Sequence, residues 1–112
     1  MSVDSLAVKV VGLSFCKDYP NNIFGLAKDG KMVSRKCSLI RERHNQHDTN
    51  SIRVDIDDKQ FGYLPKLISS VIAKEIDEGA AWRAEIDSLL VSVQNPNQPG
   101  LKLFLWRDDA NS

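Results

Sequence analysis

Ile52-Arg53-Val54-Asp55-Ile56-Asp57-Asp58-Lys59-Gln60-Phe61-Gly62-Tyr63-Leu64-Pro65 is the stretch from which the architecture follows. Ile52, Val54 and Ile56 alternate with Arg53 and Asp55, the period of a strand with one buried face. Asp57-Asp58-Lys59 supplies a turn, and Gln60 to Leu64 returns as a short strand. Pro65 then suits the first turn of a helix, where its missing N–H costs nothing. Leu67, Ile68, Val71, Ile72 and Ile76 follow at helical spacing and are expected to be core, with Gly79 as the C-terminal stop. Glu75, Asp77 and Glu78 lie at the end of that helix where its dipole disfavours acids, by a few tenths of a kcal/mol each (~0.3).

Upstream, Leu6 to Phe15 reads as a strand, and residues 16–31 as a loop holding at most a short hairpin. Val33, Cys37 and Leu39 alternate with Ser34, Lys36 and Ser38 in a strand running to about Arg43. Downstream, 81–93 and Leu101 to Trp106 are strands separated by the turn Asn95 to Gly100. Four strands, one helix and two strands define a mainly β chain. The expected fold is a small OB/SH3-like β-barrel of about six strands with one inserted α-helix. At 112 residues this is a single domain over 1–112.

Composition excludes several classes. No apolar run approaches the roughly 20 residues a membrane span needs, so no membrane partner is expected. Met-Ser-Val-Asp-Ser-Leu has no basic segment before an apolar one, so no secretory leader is expected. Cys16 and Cys37 make no disulfide framework, which points to a reducing, cytoplasmic location. The net charge of zero hides an asymmetry. Residues 28–53 carry seven basic against three acidic side chains, whereas residues 54–112 carry six against ten. The basic stretch is a candidate attractor of phosphate, and a solvated strand face is the plainer alternative.

The wholly polar segment Arg41-Glu42-Arg43-His44-Asn45-Gln46-His47-Asp48-Thr49-Asn50-Ser51 joins two strands, a place where function concentrates. A metal site could draw on His44, His47 and Asp48 with Cys16 or Cys37, but no diagnostic spacing accompanies them. No nucleophile elbow, Gly-rich phosphate loop or carboxylate pair is present, so the chain is not expected to be an enzyme, and neither metal nor cofactor is expected. Asn45, Asp48 and Asn50 could instead only shape turns.

Here the sequence resembles the HIRAN domain. The similarity runs through Val10-Val11-Gly12, then Arg41 to Val54, then Phe61-Gly62-Tyr63-Leu64-Pro65-Lys66 and the helix. It departs at Arg43, where the family usually has proline, and at His47, where it usually has an aromatic. The resemblance implies an OB-like barrel that captures the 3′ end of single-stranded DNA in DNA repair or replication. The motor is implied to lie elsewhere, in a separate helicase or nuclease partner.

In that reading Asp48 accepts from the terminal 3′-hydroxyl, and Asn45 bonds a base edge or sugar or holds the loop. His47 and Tyr63 offer flat rings for stacking. Lys66 meets a backbone phosphate beside the helix N-terminal amides. Phe15 is a stacking ring or core, and Arg41 pairs with Glu42 or Asp48 to shape the loop. The alternative is a protein-interaction or regulatory adaptor that keeps the barrel without binding DNA. Trp82 and Trp106 lie outside the motif and are open to either core or partner roles.

Overall fold

The computed structural model describes residues 4–108, so Met1-Ser2-Val3 of the leader reading lies outside it. The strands are β1 (Ser5–Lys9), β2 (Cys37–Arg41), β3 (Ile52–Ile56), β4 (Lys59–Tyr63), β5 (Trp82–Leu90) and β6 (Gly100–Arg107). The helices are α1 (Asn21–Gly25) and α2 (Lys66–Asp77). Two antiparallel three-stranded sheets, β1-β6-β5 and β2-β3-β4, form a partly open barrel. One seam is bridged where Val11 and Tyr63 exchange both backbone hydrogen bonds at 2.9 Å. At the other seam β2 lies beside β5.

The alternating residues fill the interior as their period requires. Ile52, Val54 and Ile56 of β3 are fully buried, as are Leu101, Leu103 and Leu105 of β6. Each is the middle strand of its sheet, so both hearts of the core come from strands paired on two sides. Completely burying such a side chain is worth roughly 1.5–3 kcal/mol. Trp82 is also core, and its indole N–H donates to Glu75 Oε1 at 3.0 Å.

Several expectations need correction. Val33 lies in a 3₁₀ turn, Met32–Ser34, and β2 starts only at Cys37. The first strand ends at Lys9, and Phe15 sits instead in a 3₁₀ turn, Leu13–Phe15, entered through Gly12 at φ +76°. The region 16–31 holds no hairpin; α1 and a 3₁₀ turn at Lys28–Gly30 occupy it, because Ile23 and Leu26 need a helical turn to reach the core. On α2, Leu67 and Val71 are 85% and 58% exposed. The helix packs through Ile68, Ser69, Ile72, Ala73 and Ile76 instead. The small Ser69 and Ala73 let the backbone approach the barrel, which rotates the bulkier pair outward.

Pro65 is the residue just before α2 rather than its first, and its carbonyl accepts from Ile68 and Ser69. Gly79 closes the helix as expected. At φ +102° it lets the Gly79 amide reach Ile76 and the Ala80 amide reach Glu75, the paired bonds of a Schellman cap.

Gly62 is the tightest backbone approach. A Cβ there would stand 2.5 Å from the Val11 carbonyl oxygen, at φ +153°. Beside it the β3–β4 register slips between Val54 and Asp55. Gly62→Ala is expected to cost at least about 2 kcal/mol in urea unfolding. Gly25→Ala, which meets no atom within 4 Å, should be near neutral. Equal midpoints for the two variants would refute the close approach.

Cys37 faces inward from β2. Burial, then the charges of Asp57 and Glu85, push its thiol up to about 11, against a smaller opposing effect of the Ile86 amide. A raised thiol favours folding below the unfolded value and loses that advantage as pH rises from about 9 toward 11. Disulfide exchange with an aromatic disulfide at pH 8 should label the half-buried Cys37 far more slowly in the native state than in the unfolded chain. Prompt labelling in the native state would contradict its burial.

Candidate nucleic-acid interface

Residues 41–51 leave β2 and return to β3 as a loop whose shape is set by its own side chains. Asn45 Oδ1 accepts from the His47 and Asp48 amides at 2.9 and 3.2 Å, and its Nδ2 donates to Glu42 Oε1 at 3.1 Å. Asp48 Oδ1 accepts from the Asn50 amide at 2.9 Å, an Asx turn, and the Asp48 carbonyl accepts from Ser51. Both residues therefore do the turn-forming work their type allows. Among the described residues the second Asp48 oxygen has no partner.

Glu42 is the organiser that sequence reasoning passed over. Its carboxylate receives Asn45, the Ser51 hydroxyl at 3.5 Å and Arg53 at 3.4 Å. Burial, and then the hydrogen bond to Glu42, push the Tyr63 phenol above its ordinary value, against smaller effects of Gln60 and Arg53. Glu42 thus ties the loop to the ring on β4. The clue in the sequence was its position at the strand exit, flanked by two arginines.

Arg41 does not pair with Glu42 or Asp48. Its guanidinium grips Asp77 at the end of α2 through Nε and NH2, at 3.2 and 3.0 Å, and donates to the Thr49 carbonyl at 2.6 Å. Arg43 binds the same Asp77 oxygen at 2.9 and 3.1 Å. The Arg41 side chain is only 11% exposed, so it braces the loop, while that of Arg43 is 60% exposed. Asp77 therefore answers the apparent dipole penalty at the helix end.

The basic stretch is largely neutralised by the acidic half of the chain. Arg35 pairs with Asp57, Lys36 with Asp58, and Arg53 with Asp55. Charge asymmetry in the sequence has become ion pairing in the fold.

A shallow groove of about 390 Å³ is lined by Arg41, Glu42, Arg43, His44, Asn45 and Tyr63. It brings together Asn45, Tyr63 and Arg41 among the residues named from sequence. His47 and Lys66 are exposed and Asp48 is half-buried, and none of the three lines the groove. Phe15, 93% exposed and so not core, lines a different and larger groove of about 670 Å³ near Lys59 and Phe61. Among the described residues, no group of three or more His, Cys, Asp or Glu side chains is placed to hold a metal ion.

A barrel with a polar, aromatic-bearing rim defines a binding module. The profile of the HIRAN domain matches residues 3–103, and the chain belongs to that family, whose members are known as DNA-binding rather than catalytic modules. Two solved structures are similar. A crystal structure of a protein from Lactobacillus plantarum is 26% identical, with a TM-score of 0.69, over 94% of this chain and 91% of that one. The HIRAN domain of human HLTF is 23% identical, with a TM-score of 0.58, over 95% of this chain and 78% of that one. No curated protein matches the chain.

Arg41, then Arg43, hold the Asp77 carboxyl below its ordinary value by hydrogen bonding. A lowered carboxyl stabilises the fold above the unfolded value of about 3.9 and loses that contribution as pH falls through the folded value. Asp77→Asn should therefore flatten the decline of stability below about pH 4. It should also raise hydrogen exchange across residues 41–51. A loop as protected as before would show that the clamp does not hold it.

Proposed function

We propose that this HIRAN domain is a non-enzymatic module that captures single-stranded DNA at its 3′-hydroxyl end, serving DNA repair or replication. One observation carries the reading. Loop 41–51 is cross-linked by Asn45, Glu42 and the Asp77 clamp, yet it leaves an Asp48 oxygen without a partner among the described residues, beside the exposed His47. A terminal hydroxyl can donate to that oxygen, whereas a 3′-phosphate would be repelled by it. A hydrogen bond to a charged group contributes roughly 1.5–3 kcal/mol.

Tyr63 and His47 supply stacking faces, and the exposed Lys66 is a cation available to the backbone. Phe15 would meet the strand only beyond the groove. A helicase or nuclease that acts on such an end is the partner this reading calls for. A reducing, cytoplasmic location suits the two free thiols.

Anisotropy with short labelled strands tests this. A free 3′-hydroxyl should bind more tightly than a 3′-phosphate or an end buried in duplex. Asp48→Asn keeps an acceptor for the Asn50 amide while removing the charge. It should reduce the hydroxyl preference by about tenfold, with little loss of stability. Equal binding of all three ends, unaltered by the substitution, would remove the 3′-end reading.

An adaptor role is the second reading, favoured by the outward Leu67 and Val71 on α2. It requires that Leu67→Asp abolish partner binding and that nucleic acid not bind at all.

A further inference from the structure

We propose that the outer face of the β1-β6-β5 sheet is a second contact surface for single-stranded nucleic acid, built on Phe104 and Trp106. Along β6, Leu101, Leu103 and Leu105 point into the barrel, so Lys102, Phe104 and Trp106 take the opposite face. The two rings are stacked, with centroids 6.1 Å apart and planes 23° from parallel. Both are half-buried, and no element of the barrel core needs them.

Cations flank the rings at both ends. Ladder register places Arg83 opposite Trp106, and Lys9 opposite Lys102. Val10 and Leu101 form a hydrogen-bonded pair, so Lys9 and Lys102 occupy the adjoining non-bonded pair, in which side chains stand closest. Like charges directly opposite are unfavourable, and neither lysine has an acidic partner among the described residues. An anion between them would relieve the repulsion.

Glu85 opposite Phe104 and the exposed Asp87, at the bulge beside the Ser88–Lys102 pair, are the opposing charges, and Arg83 also pairs with Asp108. Two lysines against one carboxylate still direct phosphates to the lysine end, and bases to the rings. Trp106 further opens onto a groove of about 480 Å³ shared with Val33, Lys36 and Arg83, at the seam where β2 lies beside β5. β2 leads along that seam to Arg41 and the loop, so a strand held at its end by the rim has a track along which its body can lie. Stacking on aromatics with cations alongside is how proteins hold single strands without reading sequence.

The inference is independent of 3′-end preference, and the test separates the two. Oligothymidylate of about twelve nucleotides, carrying a 3′-phosphate, is titrated against the whole chain while tryptophan emission is followed. Quenching is expected and should vanish in Trp106→Phe, because Trp82 is buried. Lys9→Gln with Lys102→Gln should weaken binding at least about fivefold and reduce the salt slope by about 1.4. These surface changes leave the core intact and relieve the lysine repulsion, so the melting temperature should not fall. Unquenched emission, or lysine variants that bind like the parent, would overturn the proposal. So would a concentration-dependent dimer in sedimentation that Trp106→Ala abolishes, since the face would then join two copies. Quenching without hydroxyl preference would sustain this surface while refuting the 3′-end reading.

Discussion

Asp77 holds Arg41 and Arg43 together, and the presentation of the rim depends on that one carboxylate. It fixes the exit of β2 to the end of α2, two elements far apart in sequence. With the loop pinned there, Glu42 can reach Asn45, Ser51 and Arg53 at once, and Asn45 can order the amides that follow it. Exposed ion pairs usually contribute little, but one carboxylate shared by two guanidiniums, one of them nearly buried, is a network rather than a pair. Its consequence is geometric: the loop has one shape in which to meet a ligand.

The same ion pairing changes what binding can rely on. The four arginines between residues 28 and 53 are satisfied within the molecule, so the rim offers few free cations on a chain whose net charge is zero. Recognition must rest on shape, stacking and a small number of hydrogen bonds. That fits a module that marks a strand end better than one that coats a duplex, which needs many phosphate contacts.

Much of the fold was legible because its strongest signals were local. The alternation in β3, the Asp57-Asp58 turn and the Gly79 stop each act within a few residues and were found where expected. What was not legible depended on distant partners. Leu67 and Val71 carry the helical period, but only the close approach through Ser69 and Ala73 decides which side of α2 meets the barrel. Phe15 looked like a strand end because Gly12, which turns the chain aside, gives no periodic signal. Among site residues, Asn45 and Tyr63 do share a groove. Arg41 was expected to pair with Glu42 or Asp48, whereas its partner Asp77 lies in a helix whose acids looked merely misplaced. Glu42 was hidden because its role is defined by four groups that converge only in three dimensions.

The central claim is that loop 41–51, with Tyr63 and Lys66, is where a single strand ends. Amide chemical-shift mapping with a short strand bearing a free 3′-hydroxyl tests it most directly. The account predicts that the largest changes fall on Asn45, His47, Asp48, Tyr63 and Lys66. Changes confined to the exposed face of α2 around Leu67 and Val71, or none at the loop at saturating strand, would contradict it.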